Sequence, residues 1–251
     1  MNRHLRILIL TLLSLQMLVC RQPMPDTVVI ISANAEWEAL KEVLPSQDYR
    51  LERSPYGEYF IADHRLLPGL AEPVIFLHGG WGKVDAAASA QWAISEFQPD
   101  SIINLGTAGG FEGRIRVGQI VFASKTIVYD IIERMGSASE AIQDYTTEIK
   151  TEVPPELKDL VVSSTIISAD QDIDPSSIRK LTDRYDAVAA DWESASIARV
   201  ADKNGLPIII LRGISDVVSP QGSLAYGDIE HFEEQTRALM RDLLDLLQRI
   251  R

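Results

Sequence analysis

The chain has 251 residues, of which 46% are hydrophobic and 24% are charged. This apolar content excludes a disordered chain and is sufficient for the core of one large domain or two small domains. The formal net charge of −12 opposes general binding to the phosphate backbone of nucleic acids. A single cysteine excludes an intrachain disulfide and a metal site built from several cysteines.

The N-terminus has the pattern of an export signal. Arg3 and Arg6 precede an uncharged and mostly apolar stretch over residues 7–19. This stretch is shorter than the roughly 20 residues that a membrane-spanning helix needs. Cys20 follows at once, which resembles a bacterial lipoprotein signal, although Val19 stands where such signals prefer a small residue.

These patterns divide the chain into three parts. We expect a signal segment over residues 1–20, a linker over residues 21–26 and a folded domain over residues 27–251. The first expectation is export, as a lipoprotein anchored to the membrane. Export with other processing, to the periplasm or the cell surface, and a cytoplasmic protein are the two alternatives.

Short apolar strands alternate with helices in the rest of the chain. The predicted strands are residues 28–32, 73–77, 101–105, 119–124, 161–168, 187–190 and 207–214. The predicted helices are residues 36–44, 84–97, 194–204 and 228–250. This alternation predicts an α/β fold with a central sheet that is mixed or mostly parallel. Residues 131–160 are polar and mixed, and we expect a flexible insertion there.

Three segments place unusual residues where predicted strands end, which is the edge at which α/β sheets bind ligands. The first is the glycine-rich run at residues 104–110, interpreted as a turn that lets backbone N–H groups approach a ligand. The second, residues 191–194, places two carboxylates around an aromatic side chain at a helix start. The third is Ser215 with Asp216. A structural turn and a helix cap are the ordinary alternatives for these residues.

The order of these segments resembles a known family. GTAGG at 106–110, DWESASIARV at 191–200 and LRGISDV at 211–217 follow one another as in the purine nucleoside phosphorylase and nucleosidase superfamily. The pattern is most similar to the methylthioadenosine/S-adenosylhomocysteine nucleosidases. Residues 31–36 and the GWGKV segment at 80–84 agree with it. The resemblance implies a single α/β domain with a central mixed, barrel-like β-sheet flanked by helices.

The resemblance also implies a reaction. It is hydrolysis of the N-glycosidic bond of methylthioadenosine, S-adenosylhomocysteine or a related purine nucleoside, with release of the free base. Asp216 would hold or deliver a proton at purine N7, Glu193 would accept hydrogen bonds from the ribose hydroxyls, and Glu36 would deprotonate the attacking water. Glu38 is the alternative to Glu36, because residues two apart on a helix face different ways.

A substrate-binding set follows from the same resemblance. Its members are Gly106, Thr107, Ala108 and Gly109 at the sugar and water end, Ile173 at the purine edge, Trp192 beneath the ribose, Tyr226 against the 5′ substituent, and Arg212. Arg212 would orient Glu193 or water, or else form a surface ion pair, and Tyr226 has the alternative of a plain core side chain. Asp172 replaces the family's base-stacking aromatic, which leaves the base preference open.

Water is favoured over phosphate as the nucleophile. Phosphorylases of this superfamily hold phosphate with arginines, whereas the corresponding strand here ends in Asn104 and Leu105, and the N-terminal loop offers Asn34 and Glu36. An anionic Glu36 would repel phosphate. A phosphate-dependent phosphorylase and an exported nucleoside-binding protein without turnover are the alternatives, and the three carboxylates argue against the second.

The expected partners follow from the composition and from the resemblance. We expect a purine nucleoside and no nucleic acid, with membrane attachment only through the N-terminus. We expect no cofactor and no metal site, since Cys20 lies outside the predicted domain and no His-x-x-x-His pair occurs. The resemblance implies a homo-oligomer, with a dimer as the first expectation.

Overall fold

A computed structural model describes residues 24–223 and 225–250. The predicted signal segment and residues 21–23 of the predicted linker lie outside the described residues. The strands are β1 (Thr27–Ile31), β2 (Glu52–Arg53), β3 (Glu58–Ala62), β4 (Val74–His78), β5 (Ser101–Phe111), β6 (Ile120–Val128), β7 (Thr146–Glu148), β8 (Val162–Ser168), β9 (Ala187–Asp191) and β10 (Ile208–Val218). The helices are α1 (Asn34–Val43), α2 (Gly82–Phe97), α3 (Ala138–Asp144), α4 (Ile178–Tyr185), α5 (Ser194–Lys203) and α6 (Ile229–Leu247).

The ten described strands form one sheet, part of which closes into a barrel. β5, β10, β6, β8 and β9 follow one another around a ring, and β9 pairs again with β5. β1, β4, β3 and β2 extend the sheet beyond β5, and β7 adds to β6. The pairings β1–β4, β1–β5 and β5–β10 are parallel, whereas β5–β9 and β6–β10 are antiparallel. The predicted single α/β domain with a mixed, barrel-like sheet is confirmed.

Two helix pairs pack against the sheet. α1 and α6 pack over one face, in a core that includes Val29 and Ile31, and α2 and α5 pack over the other face, in a core that includes Val28 and Ile30. Successive side chains of a strand point to opposite faces, so β1 buries apolar residues on both sides. This is why its sequence, TVVII, is continuously β-branched rather than alternating.

Two strands are longer than expected, and this places two motifs inside the sheet. β5 and β10 stay paired through Phe111 and Val218, so the glycine-rich run forms strand and Asp216 lies within β10. The expectations of a turn at residues 104–110 and of a strand end before Asp216 are wrong. At Gly110, an added Cβ would lie 2.6 Å from Ile115 Cγ2. The glycine therefore permits close packing within the barrel rather than a reversal of the chain.

The sequence patterns also miss the short elements. β2, β3, β7, α3 and α4 have between two and eight residues each, too few to show a clear periodicity. Residues 131–160, expected as a flexible insertion, contain α3 and β7. Ser137 caps α3 by accepting a hydrogen bond from the Glu140 N–H at 3.3 Å. No helix in the described part of the chain is long and apolar enough to cross a membrane.

Candidate active site

A cleft of about 860 Å³ lies where β5, β9 and β10 meet the N-terminal ends of α1 and α5. It brings together most of the side chains predicted from the sequence. Its lining includes Glu36, Thr107, Ala108, Gly109, Ile173, Trp192, Glu193, Asp216 and Tyr226. Gly106 and Arg212 are absent from this lining and lie buried beneath the wall.

Glu36 projects from the first turn of α1 into the cleft and is 2% exposed. Its Oε1 accepts hydrogen bonds from the Thr107 N–H at 2.5 Å and from Thr107 Oγ1 at 2.9 Å, and its Oε2 accepts one from the Ala33 N–H at 3.3 Å. Burial raises the pKa of Glu36, and Arg212 and the Thr107 hydrogen bonds offset part of this effect. Glu38 points outward, where it pairs with Lys41 at 2.8 Å.

Arg212 on β10 is fully buried, so the alternative of a surface ion pair is wrong. Its Nε donates to Asp191 Oδ2 at 2.6 Å and its Nη2 donates to Asn104 Oδ1 at 2.8 Å. Gly106 on β5 makes room for this guanidinium, because a Cβ at that position would lie 1.7 Å from Nη1. The same Cβ would lie 2.8 Å from each oxygen of Glu36. Arg212 and Glu36 thus share the space that a side chain at position 106 would fill.

Glu193 occupies the N-cap position of α5 and is 4% exposed. Its Oε1 accepts a hydrogen bond from the Gly82 N–H at 3.1 Å, at the first residue of α2. The positive end of a helix dipole therefore faces this carboxylate. Burial, with a further contribution from the charge of Glu36, nevertheless raises the pKa of Glu193 to about 8. Glu36 and Glu193 are thus two buried carboxyl groups in one cleft, and each disfavours the ionisation of the other.

Asp216 is placed by an irregularity in β10. The register of β10 against β5 shifts between Ile214 and Asp216, and a bulge of this kind re-aims the side chain that follows it. Asp216 Oδ1 accepts a hydrogen bond from Ser215 Oγ at 2.9 Å, and its Oδ2 accepts one from Ser223 Oγ. Ser223 lies in the loop before α6, and no sequence motif marks it.

Aromatic side chains line the rim of the cleft. Trp192 stacks on Trp81, with ring centroids 4.8 Å apart and planes 28° from parallel. Trp81 is 61% exposed. It stands at the position of the isoleucine in the family's Gly-Ile-Gly-Lys-Val segment, so the motif could have identified it. Phe232 at the start of α6 also lines the cleft, and no sequence motif marks it.

Two loops that line the cleft are joined through Tyr226. The Tyr226 hydroxyl donates to the Ile173 carbonyl oxygen at 2.8 Å, and the Tyr226 side chain remains partly exposed, which contradicts a plain core role. Burial, and then the charges of Asp172 and Asp216, raise the pKa of Tyr226. Asp172 lines the cleft beside it, so a carboxylate and a phenol lie where a stacking aromatic is expected.

The cleft combines four buried carboxyl groups, those of Glu36, Asp191, Glu193 and Asp216, with an uncharged or acidic rim. No Lys, Arg or His occurs among the described residues that line it. Glu36, Glu193 and Asp216 lie on three different elements and have different hydrogen-bond partners. They can therefore take separate roles as proton acceptor, hydroxyl acceptor and proton donor. Residues 24–223 and 225–250 contain no group of three or more His, Cys, Asp and Glu side chains arranged to hold a metal ion.

Comparison with known proteins agrees with this architecture. A 5′-methylthioadenosine/S-adenosylhomocysteine nucleosidase from Geobacillus sp. (strain WCH70) is 28% identical over 166 residues, which cover 61% of this chain and 72% of that protein. A protein of the same description from Chromohalobacter salexigens is 27% identical over 213 residues, covering 79% of this chain and 88% of that protein. The crystal structure of the Campylobacter jejuni nucleosidase superposes with a TM-score of 0.71 at 20% identity, covering 90% of this chain and 100% of that chain, which shows a shared fold.

The family assignment rests on the length of the match. The sequence model of the phosphorylase superfamily matches residues 27–250, which contain every strand and helix of the described fold and all of the cleft. The chain therefore belongs to the phosphorylase superfamily.

Proposed function

We propose that this protein hydrolyses the N-glycosidic bond of a purine nucleoside and releases the free base. The observation that carries this proposal is the convergence of Glu36, Glu193 and Asp216 on one cleft, each buried and each held differently. The relatives described above are nucleosidases for 5′-methylthioadenosine and S-adenosylhomocysteine. We therefore propose one of these compounds, or a related nucleoside, as the substrate.

The geometry supports a role for each carboxylate. Bond cleavage leaves positive charge on the sugar and negative charge on the departing purine. Asp216, on one side of the cleft, holds or delivers a proton at purine N7 so that the base leaves as a neutral molecule. Glu193 accepts hydrogen bonds from the ribose hydroxyls and stabilises the positive sugar. Glu36 takes the proton of the attacking water, with Thr107 fixing its orientation.

The charge of the cleft supports water rather than phosphate as the nucleophile. The described lining contains no cationic side chain, and Glu36 and Glu193 place two carboxylates there. A phosphate dianion would find no cationic partner in this lining, and each ionised carboxylate there would repel it. A neutral water meets no such barrier.

The proposal is tested by measuring base release by purified protein that lacks residues 1–20, the predicted signal segment. The substrates are methylthioadenosine, S-adenosylhomocysteine, adenosine, inosine and guanosine, each with and without inorganic phosphate. We expect phosphate-independent release from at least one of them. Asp216→Asn should lower kcat by about 10²–10⁴-fold, since it removes a general acid, while thermal melting shows an intact fold.

The control is Asp202→Asn, the same chemical change at a partly exposed carboxylate that pairs with Lys150 at 3.4 Å. It should leave kcat unchanged. Full activity of Asp216→Asn would overturn the assigned role. Turnover only with phosphate would establish a phosphorylase, and tight nucleoside binding without release would establish a binding protein.

We also propose that the protein is exported and anchored through a lipid on Cys20. The basic residues Arg3 and Arg6, the apolar stretch over residues 7–19 and the position of Cys20 support this proposal.

We further propose a homo-oligomer, supported by the exposed apolar side chains of Trp81 and Val84, which are 61% and 78% exposed beside the cleft. Analytical ultracentrifugation of the protein without residues 1–20 measures its molar mass and tests this proposal. A monomer at micromolar concentration would refute it.

A further inference from the structure

Asp191 lines the cleft beside the predicted sugar site, and its carboxylate is engaged within the protein. It is the last residue of β9, and it is 6% exposed. Its Oδ2 accepts from Arg212 Nε at 2.6 Å, and its Oδ1 accepts from Ser168 Oγ at 2.5 Å and from the Ser194 N–H at 3.3 Å. Both oxygens thus accept hydrogen bonds from groups within the protein, so Asp191 acts by holding its neighbours in place.

Asp191 binds one side of the Arg212 guanidinium through the hydrogen bond from Nε. Asn104 holds the other side, because its Oδ1 accepts from Nη2 at 2.8 Å while its own Nδ2 donates to the Ile30 carbonyl oxygen at 2.9 Å. The third nitrogen, Nη1, is buried and has no hydrogen-bond partner among the described residues. An unpaired buried donor costs about 1–3 kcal/mol, so its position calls for a functional explanation.

Nη1 and the Glu36 carboxylate approach the same face of Gly106. A Cβ on that glycine would lie 1.7 Å from Nη1 and 2.8 Å from both Glu36 oxygens. Arg212 and Glu36 nevertheless make no direct ion pair within 4.0 Å, whereas Asp191 and Arg212 do. The free nitrogen is therefore turned toward Glu36 but held back from it.

We infer that Asp191 and Asn104 are positioning residues that hold Arg212 with Nη1 directed at the water site of Glu36. This inference rests on the proposed hydrolysis. Asp191 keeps the guanidinium from pairing directly with Glu36, so Glu36 retains the basicity needed to take a proton from water. Nη1 then serves as a hydrogen-bond donor that orients the water beside Glu36.

The charges around this arrangement set the direction of its pH dependence. Arg212 on β10 faces Asp191 of β9, Glu36 of α1 and Glu193 at the start of α5. Glu36 in turn faces Arg212, Glu193, Thr107 of β5 and the Ala33 N–H. Removing the charge of Asp191 leaves Glu36 and Glu193 to attract the guanidinium. Direct pairing with Glu36 follows, and it lowers the pKa of Glu36.

Asp191→Asn tests the inference. We expect kcat to fall by about 10²-fold, as for a misplaced catalytic group, while KM changes by less than about threefold. The acidic limb of the pH–rate profile should move to lower pH. Asn104→Ser alters no charge and releases Nη2, so a fall in kcat in that variant reports positioning rather than lost charge. Asp202→Asn serves as the matched control and should behave as the wild type.

A double-mutant cycle separates positioning from an independent role. If Asp191 acts through Arg212, Asp191→Asn combined with Arg212→Gln should be no slower than Arg212→Gln alone. Additive losses would overturn the inference. An increase in KM with unchanged kcat would also overturn it, because Asp191 would then contact the substrate.

A second readout does not depend on turnover. Asp191 itself raises the pKa of Glu193, so the infrared titration is made in a Glu193→Gln background. The protonated carboxyl band of Glu36 should then ionise at lower pH with Asp191→Asn and at higher pH with Arg212→Gln. An unchanged titration in both variants would overturn the inference. A wild type that releases no base from any nucleoside would refute the proposed function, and this titration would still decide the inference.

Discussion

Glu193 shows how a single buried acid couples the cleft to the stability of the fold. Its pKa in the folded protein is about 8, against an ordinary value of 4.5, because of burial and the neighbouring Glu36. Between these two values the folded state binds a proton that the unfolded state has lost. The free energy of unfolding therefore falls as pH rises from about 4.5 to about 8. We expect the melting temperature of the wild type to decrease over this range.

Glu193→Gln should reduce this decrease, because the variant has no carboxyl to ionise at that position. We expect its melting temperature at pH 8 to exceed that of the wild type by roughly 3–6 °C, and the two proteins to converge near pH 5. Calorimetry across pH measures both. Glu38→Gln, on the outer face of α1, is the control and should follow the wild type. A Glu193→Gln curve parallel to the wild type would contradict the raised pKa.

At the scale of the element, β5 arranges the site in two ways. Its Thr107 holds Glu36, and its Gly106 leaves space for the Arg212 guanidinium. Gly106→Ala would place a Cβ 1.7 Å from Arg212 Nη1 in the middle of that strand. We expect a loss of about 1–3 kcal/mol of stability, as for an overpacked core. We also expect kcat to fall by about 10²-fold, because Arg212 and Glu36 must separate.

Gly136→Ala provides the matched control for this prediction. Gly136 is exposed, and a Cβ there would meet only Glu133 atoms at 3.9 Å, which is ordinary contact. Denaturant melts and initial rates compare the two variants. A Gly106→Ala protein with wild-type activity and stability would show that the guanidinium does not occupy this space in solution.

At the scale of the whole molecule, the N-terminal pattern predicts where the chain resides. Cys20→Ser should abolish labelling by radioactive palmitate in a bacterial host and shift the protein from the membrane fraction to the soluble fraction. The reason is that the thiol of Cys20 is the proposed acceptor for the lipid. Val19→Ala, which supplies the small residue preferred before the cysteine, should keep or increase the labelling. Equal membrane association of the wild type and Cys20→Ser would refute lipid anchoring.

Much of the fold and of the site was predictable because the signals are local. The β-branched runs and helical spacings give the long elements to within a few residues, and the motifs around Glu193 and Asp216 identify these carboxylates together with the family. The short elements and the true lengths of β5 and β10 were not predictable. Gly106 to Gly110 resemble a turn in isolation, and only their pairing with β10 and β9 makes them a strand.

The sequence by itself determined the α/β class, the membership of the phosphorylase superfamily and the positions of Glu193 and Asp216, since each depends on neighbouring positions in the chain. Only the tertiary structure decided that Glu36 rather than Glu38 enters the cleft, that Arg212 is buried between Asp191 and Asn104, and that Trp81 stacks on Trp192. These facts depend on the register of distant strands, because side chains far apart in the chain meet only when β1, β5, β9 and β10 assemble into one sheet.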